Sequence, residues 1–251
     1  GALGRQHTVR RRGRSLAVIG LMAAGVFMVT AINSFRLDGA RGAERRSAGT
    51  GGFAYVGEST LPVYEDLDAA AGRKKFGLDA MKADFTILPM RVSHGEDASC
   101  LNLNRAQRPR LMGVDVERIA RLSPFHFTAQ ASPPPNGQSP WRALAADKAD
   151  EADEDGIPVI PGLIDQNTAV YALRKKVGDT VRYETVSGQA FAVRLVGFLE
   201  TSILQGSLLI DEAEFVRFFP DAGGYRFFLL DGAGADPETL APVAAHLTRI
   251  F

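Results

Sequence analysis

Cysteine is almost absent: Cys100 is the single one among 251 residues. No intramolecular disulfide can form, so a fold stapled by bridges is excluded, while the redox compartment stays open. An excess of either charge is also missing. Lys and Arg together number 29, as do Asp and Glu, and the formal net charge is zero. Nucleic-acid binders normally carry a basic excess or stripe, so that class is disfavoured. Catalytic signatures are missing too. The sequence holds no Gly-Lys-Ser/Thr phosphate loop, and none of its four histidines (His7, His94, His126, His246) lies in a Gly-x-Ser-x-Gly or His-Glu-x-x-His context. Gly232 and Gly234 lack the third glycine of a dinucleotide fingerprint. The chain is therefore expected not to be an enzyme and to need no cofactor. What it has is core material: 45% apolar residues against 23% charged. Its length suffices for one large or two small domains.

Two stretches imitate ion sites. His94, Glu96, Asp97 and Cys100 fall within seven residues, but a second ligand pair with zinc-like spacing is missing. They read as a polar turn leading into a strand, with Cys100 a small buried apolar residue. The acidic run Asp147 to Gly156 imitates the front of a calcium loop. Its first place is Glu151 where Asp is needed, and its twelfth is Gly162 where Glu is needed. It reads as a solvated loop, and no metal is expected.

Ser15 to Phe35 carry no charge over 21 positions. At ~1.5 Å per residue this makes about 31 Å of helix, enough to cross a bilayer core. A transmembrane helix is the first reading; a signal peptide and a buried core helix are the others. Arg10, Arg11, Arg12 and Arg14 abut the apolar run and favour a cytoplasmic N-terminus, although Arg36, Arg41, Arg45 and Arg46 follow it. The expected organisation is a basic cytoplasmic segment 1–14, a transmembrane helix 15–35, a juxtamembrane linker 36–50 and an extracytoplasmic domain 51–251. A candidate lobe boundary lies near 132–156, where the proline-rich Ser132 to Pro140 meets the acidic run. The chain starts at Gly1 and stops at Phe251 inside an expected helix, so it reads as a fragment of a longer protein.

In the middle of the chain, strands are predicted over Gly51 to Glu58, Phe85 to Val92 and Pro109 to Val114, with a further start at Leu101 to Leu103. Pro89 predicts an edge or a bulge. Leu61, Tyr64, Leu67 and Ala71 have helical spacing, which predicts a helix over Thr60 to Ala71 with Pro62 in its first turn. Trp141 to Ala146 reads as one helical turn. In the C-terminal half, Asp165 caps a predicted helix Gln166 to Lys176, with Gly178 as its left-handed C-cap. Strands follow at Thr180 to Val186 and Phe191 to Leu199 around a Ser187-Gly188 turn, and then at Ser207 to Ile210. A short helix Glu212 to Phe219 is capped by Asp211. Tyr225 to Leu230 is a buried strand, and Asp236-Pro237 opens a last helix. The pattern α-β-β-β-α-β-α predicts an α+β fold, a sheet with helices on one side.

Leu173, Val177, Gly178, Asp179 and Thr180, then a strand, a turn and a strand ending in Val196, Gly197, Phe198 and Leu199, form an ordered set. With Asp97 to Leu103, Ser202 to Gly206 and Gly224 to Arg226, it resembles the periplasmic core domain of MacB/FtsX-like ABC-transporter permeases. The order of basic stretch, apolar helix and domain is also that family's. The family continues into further membrane helices, which this chain does not show. The resemblance implies a permease subunit of the bacterial inner membrane, working with a separate ABC-type ATPase and a second permease copy or related permease. It implies export or extraction of a lipid, lipoprotein, peptide or drug at the outer face, or signalling to an envelope partner. Coupling is expected at Asn33 to Thr50 and at Leu240 to Phe251. Ser202, Gln205 and Gly206, with Ser132 to Pro140, are the expected contacts for substrate or partner. The alternative is a membrane-anchored sensor or binding module without transport.

Overall fold

The computed structural model describes residues 12–34, 45–93, 108–145, 152–232 and 237–251. The chain divides into two units, Gly1–Arg41 and Gly42–Phe251. The first holds helix α1 (Arg12–Ser34), whose Leu16, Leu21, Met22 and Phe27 side chains are exposed. Among the described residues no helix is long and apolar enough to cross a membrane. The expected span ends at Phe35, outside the described residues.

Among its described residues the second unit has nine strands: β1 (Tyr55–Val63), β2 (Thr86–Val92), β3 (Arg110–Val114), β4 (Phe127–Gln130), β5 (Val159–Asp165), β6 (Thr180–Glu184), β7 (Ala190–Leu199), β8 (Ser207–Asp211) and β9 (Tyr225–Asp231). They form one mixed sheet in the order β1-β9-β2-β3-β8-β5-β7-β4, with β6 also on β7. The ten-residue β7 explains the branch. Ala190 to Arg194 pair with β6 and Gly197 to Leu199 with β4, while β5 runs parallel along the other edge.

Successive side chains of a strand face opposite ways, and several strands here are apolar on both sides. Phe227 and Leu229 of β9 join one cluster with Met90, Met112 and Leu209. Phe228 and Leu230 join another with Ile87 and Phe85. Each face therefore needs a cover. On the first, α3 (Val116–Leu122) packs through Ile119 beside Trp141 and Leu144. On the second, α4 (Glu212–Phe218) packs through Phe215 and Phe218 and α5 (Pro237–Ile250) through Leu240 and Val243. The expectation of helices on one side is thus corrected: a sheet apolar on both faces is covered on both. Gly113 makes one covering possible, since a Cβ there would lie 2.6 Å from the Phe215 Cβ.

Other expectations shift for local reasons. The helix expected over Thr60 to Ala71 does not form. β1 continues to Val63 past a register shift and pairs with Tyr225, and the helix that does form, α2 (Ala70–Lys75), starts later. Edge pairing with β9 outweighs the helical spacing. Gly51 and Gly52 take positive φ before the strand rather than within it. Pro89 lies in the interior β2, not on an edge. Ser93 N donates to Leu111 O, so the amides of odd positions in β2 turn toward β3, and position 89 faces Asp115, beyond the end of β3. The missing N–H costs no ladder bond there. The helix after Asp165 is a π-helical turn, Thr168–Leu173. Its left-handed cap is Arg174 (φ 56, ψ 43), not Gly178. Gly178, at φ 96, instead turns the chain into β6. The Asp211 cap forms as expected, accepting from Ala213 N at 2.9 Å. The proline-rich stretch holds two 3-10 turns, Pro135–Gly137 and Pro140–Ala143.

Candidate interaction site

The β7–β8 connection is a tight, internally bonded loop. Ser202 Oγ accepts from Leu204 N at 3.2 Å. Gln205 N donates to Ser202 O and Ser207 N to Leu204 O, at 3.0 and 3.1 Å. Leu204 is buried at the loop's centre. Gly206 takes φ 77, a conformation that favours glycine. Its amide donates to Asp165 Oδ2 at 2.9 Å, while Asp165 Oδ1 accepts from Thr168 N at the same distance. Asp165 is 1% exposed. One buried carboxylate thus caps the π-helical turn and closes the loop, a structural use of its charge.

The loop sits with two other segments at one end of the sheet. Ile203 N donates to Gly49 O, Glu200 N to His126 O, and Phe125 N to Arg46 O. Asn167 Nδ2 donates to Thr201 Oγ1 at 2.8 Å. Arg46 pairs with the buried Asp231 at 2.6 Å. Trp141, fully buried, donates from Nε1 to Pro124 O and so ties the proline-rich stretch to the same end. Ser202 to Gly206 is therefore brought beside Gly49, and Trp141, which follows Ser132 to Pro140, beside Pro124 and Phe125. Of the three expected site residues, Ser202 is half-buried and spends its hydroxyl inside the loop. Gly206 is exposed and supplies an amide to Asp165. Gln205 is exposed with its side chain outward.

A second feature has no counterpart among the sequence motifs. A pocket of about 510 Å³ is lined by Arg108, Arg174, Lys175 and Arg182, with Leu173, Thr180 and neighbouring apolar groups. Next to Arg108 in the chain, Pro109 O accepts from the buried Tyr183 hydroxyl at 3.0 Å. Burial pushes this hydroxyl far above the usual phenol range against the opposing charge of Arg108, so it remains a donor. Arg182 pairs with Asp153 at 3.1 Å and with Asp155. The only hint in the sequence is the run Arg174-Lys175-Lys176; nothing linear joins it to Arg108. Among the described residues no group of three or more His, Cys, Asp or Glu is placed to hold a metal. His94, Cys100 and the candidate strand at Leu101 lie outside them.

No protein-family model matches the chain, and no curated protein matches it. Among solved structures it is similar to the extracellular domain of a noncanonic ABC-type transporter, YknZ, from Gram-positive bacteria, at 13% identity and a TM-score of 0.35, over 75% of this chain and 88% of that one. It is also similar to the periplasmic region of MacB from Actinobacillus actinomycetemcomitans, at 12% identity and a TM-score of 0.33, over 76% of this chain and 77% of that one.

Proposed function

We propose that the chain is the extracytoplasmic portion of an ABC-transporter permease subunit, anchored by the apolar segment Ser15 to Phe35 with its N-terminus in the cytoplasm of a bacterial cell. In this reading the chain carries no catalysis. ATP is hydrolysed on a partner ATPase, and the motion is passed through membrane helices to the domain. The domain then exports or extracts a lipid, lipoprotein, peptide or drug at the outer face, together with a second permease copy or a related one. The observation that carries the reading is the placement of the motif set. Val177 to Thr180 leads into β6, Val196 to Leu199 ends β7, Ser202 to Gly206 joins β7 to β8, and Gly224 to Arg226 opens β9. All four fall on strand ends or connections of one sheet, where loops carry function on a rigid scaffold.

The test is native purification of the full-length parent protein in mild detergent, with mass spectrometry of what accompanies it. A near-stoichiometric ABC-type ATPase is the expected result. Its absence from a membrane-bound, folded protein would overturn the permease reading and transfer the assignment to a membrane-anchored sensor or binding module.

A further inference from the structure

The four basic side chains of the pocket come from three separate places: the chain before β3, the end of the π-helical turn, and β6. No acidic residue is among the lining groups within the described residues. Gathering like charge is unfavourable unless an anion joins it. Arg182 has the acidic turn Asp153 and Asp155 at hand. Arg108, Arg174 and Lys175 have no ion-pair partner among the described residues. The backbone adds a second sign. Arg174 is a non-glycine residue held in the left-handed region, at the end of a π-helical turn. Both features cost stability and concentrate at functional sites. Here they coincide with Arg174 and Lys175, two of the residues that line the pocket. The volume, about 510 Å³, is that of a small-ligand site.

We propose that this pocket binds a phosphate-bearing group. The choice of anion follows from the charge count. A carboxylate brings one negative charge, whereas a phosphate monoester brings close to two and three acceptor oxygens. Guanidinium forks match these oxygens in pairs. Two Arg forks and a lysine on one phosphate leave little charge unbalanced. Asp153 and Asp155 hold the fourth cation, Arg182, from outside and compete with the ligand for it. The same chemistry is offered by a phospholipid headgroup and by a free organophosphate. Leu173, half-buried, lines the pocket beside the cations, so a headgroup with acyl chains finds some apolar surface as well. The site stands whether or not the chain belongs to a transporter.

The test is isothermal titration calorimetry of the full chain in a neutral detergent, with glycerol 3-phosphate and, separately, with dihexanoyl phosphatidic acid below its critical micelle concentration. Arg174→Asn combined with Lys175→Gln removes two charges, and asparagine tolerates the left-handed conformation. Affinity for both probes should fall about tenfold or more, since deleting a single charge-assisted hydrogen bond is enough for that. Arg249→Gln, an exposed charge on α5, should change it less than about twofold. Asp153→Asn with Asp155→Asn should tighten binding by freeing Arg182. Equal affinity for the two probes assigns the site to the phosphate group alone; tighter binding of the dihexanoyl lipid assigns it to a headgroup. No saturable heat with either probe, or an equal loss in Arg249→Gln and in the double pocket variant, would overturn the proposal. Circular dichroism of each variant, unchanged from the parent, separates lost binding from lost folding.

Discussion

The β7–β8 loop and the basic pocket use polar atoms in opposite ways. In the loop nearly every backbone amide from Ile203 to Ser207 is already spent, on Gly49 O, Ser202, Leu204 O or Asp165. What it can offer a partner is mainly the Gln205 side chain. In the pocket the backbone is strained and the side chains are what is offered. The loop's shape is thus a matter of fold stability, while the pocket's composition is nearly free of it. Polar groups satisfied inward fix a structure; polar groups aimed at a cavity await a ligand.

The difference can be broken at its strongest point. Asp165→Ala removes the acceptor of two backbone amides, one buried and one part-buried, and a loss of about 3 kcal/mol is expected from two bonds to a charged acceptor. Urea unfolding followed by the fluorescence of Trp141, the sole tryptophan, would report it. A loss below about 1 kcal/mol would mean that the loop is held by something other than this carboxylate. Gly206→Val forces a β-branched residue to φ 77 and should cost about 1–3 kcal/mol by the same assay. On the pocket side, Tyr183→Phe deletes the bond to Pro109 O and should cost about 1 kcal/mol while weakening phosphate binding through a less constrained Arg108. Arg174→Gly relieves the left-handed strain and should raise stability by about 0.5–1 kcal/mol while lowering phosphate affinity. Stability and binding moving in opposite directions is the signature that separates this site from a structural cluster. The smallest effect belongs to Gln205→Ala, which should leave stability within about 0.5 kcal/mol. Transport or partner binding by the full protein should nevertheless fall, and unchanged function would remove Gln205 from the contact surface.

Much of the C-terminal half was legible because its signals are local. Val-Gly-Asp-Thr before β6, the Ser187-Gly188 turn with Gly188 at φ 81, the Asp211 cap and the Tyr225 to Leu230 run each declare an element within a few residues. The middle was less legible. Thr60 to Val63 carries helical spacing but lies beside the free edge of β9, and the ladder to Tyr225 decides its state. Pro89 reads as an edge residue, yet β2 is interior; the neighbour simply ends opposite it. The candidate loop was found by its resemblance, whereas the reason for its rigidity, Asp165, stands 41 residues away from Gly206 in sequence. For the pocket no linear signal links Arg108 with Arg174, far apart in the chain.

The sequence by itself determined the sheet-rich α+β class, the end of the chain where strands and helices alternate, the absence of an intramolecular disulfide, and the caps at Asp165 and Asp211. These rest on composition, alternation and capping, which act over a few residues. Tertiary structure alone decided which strands neighbour one another, that both sheet faces are covered, that a π-helical turn ends at Arg174 rather than a longer helix at Gly178, and that four cations share one pocket. Those outcomes depend on pairings between distant segments, where burial of apolar faces and the satisfaction of backbone amides outweigh local propensity.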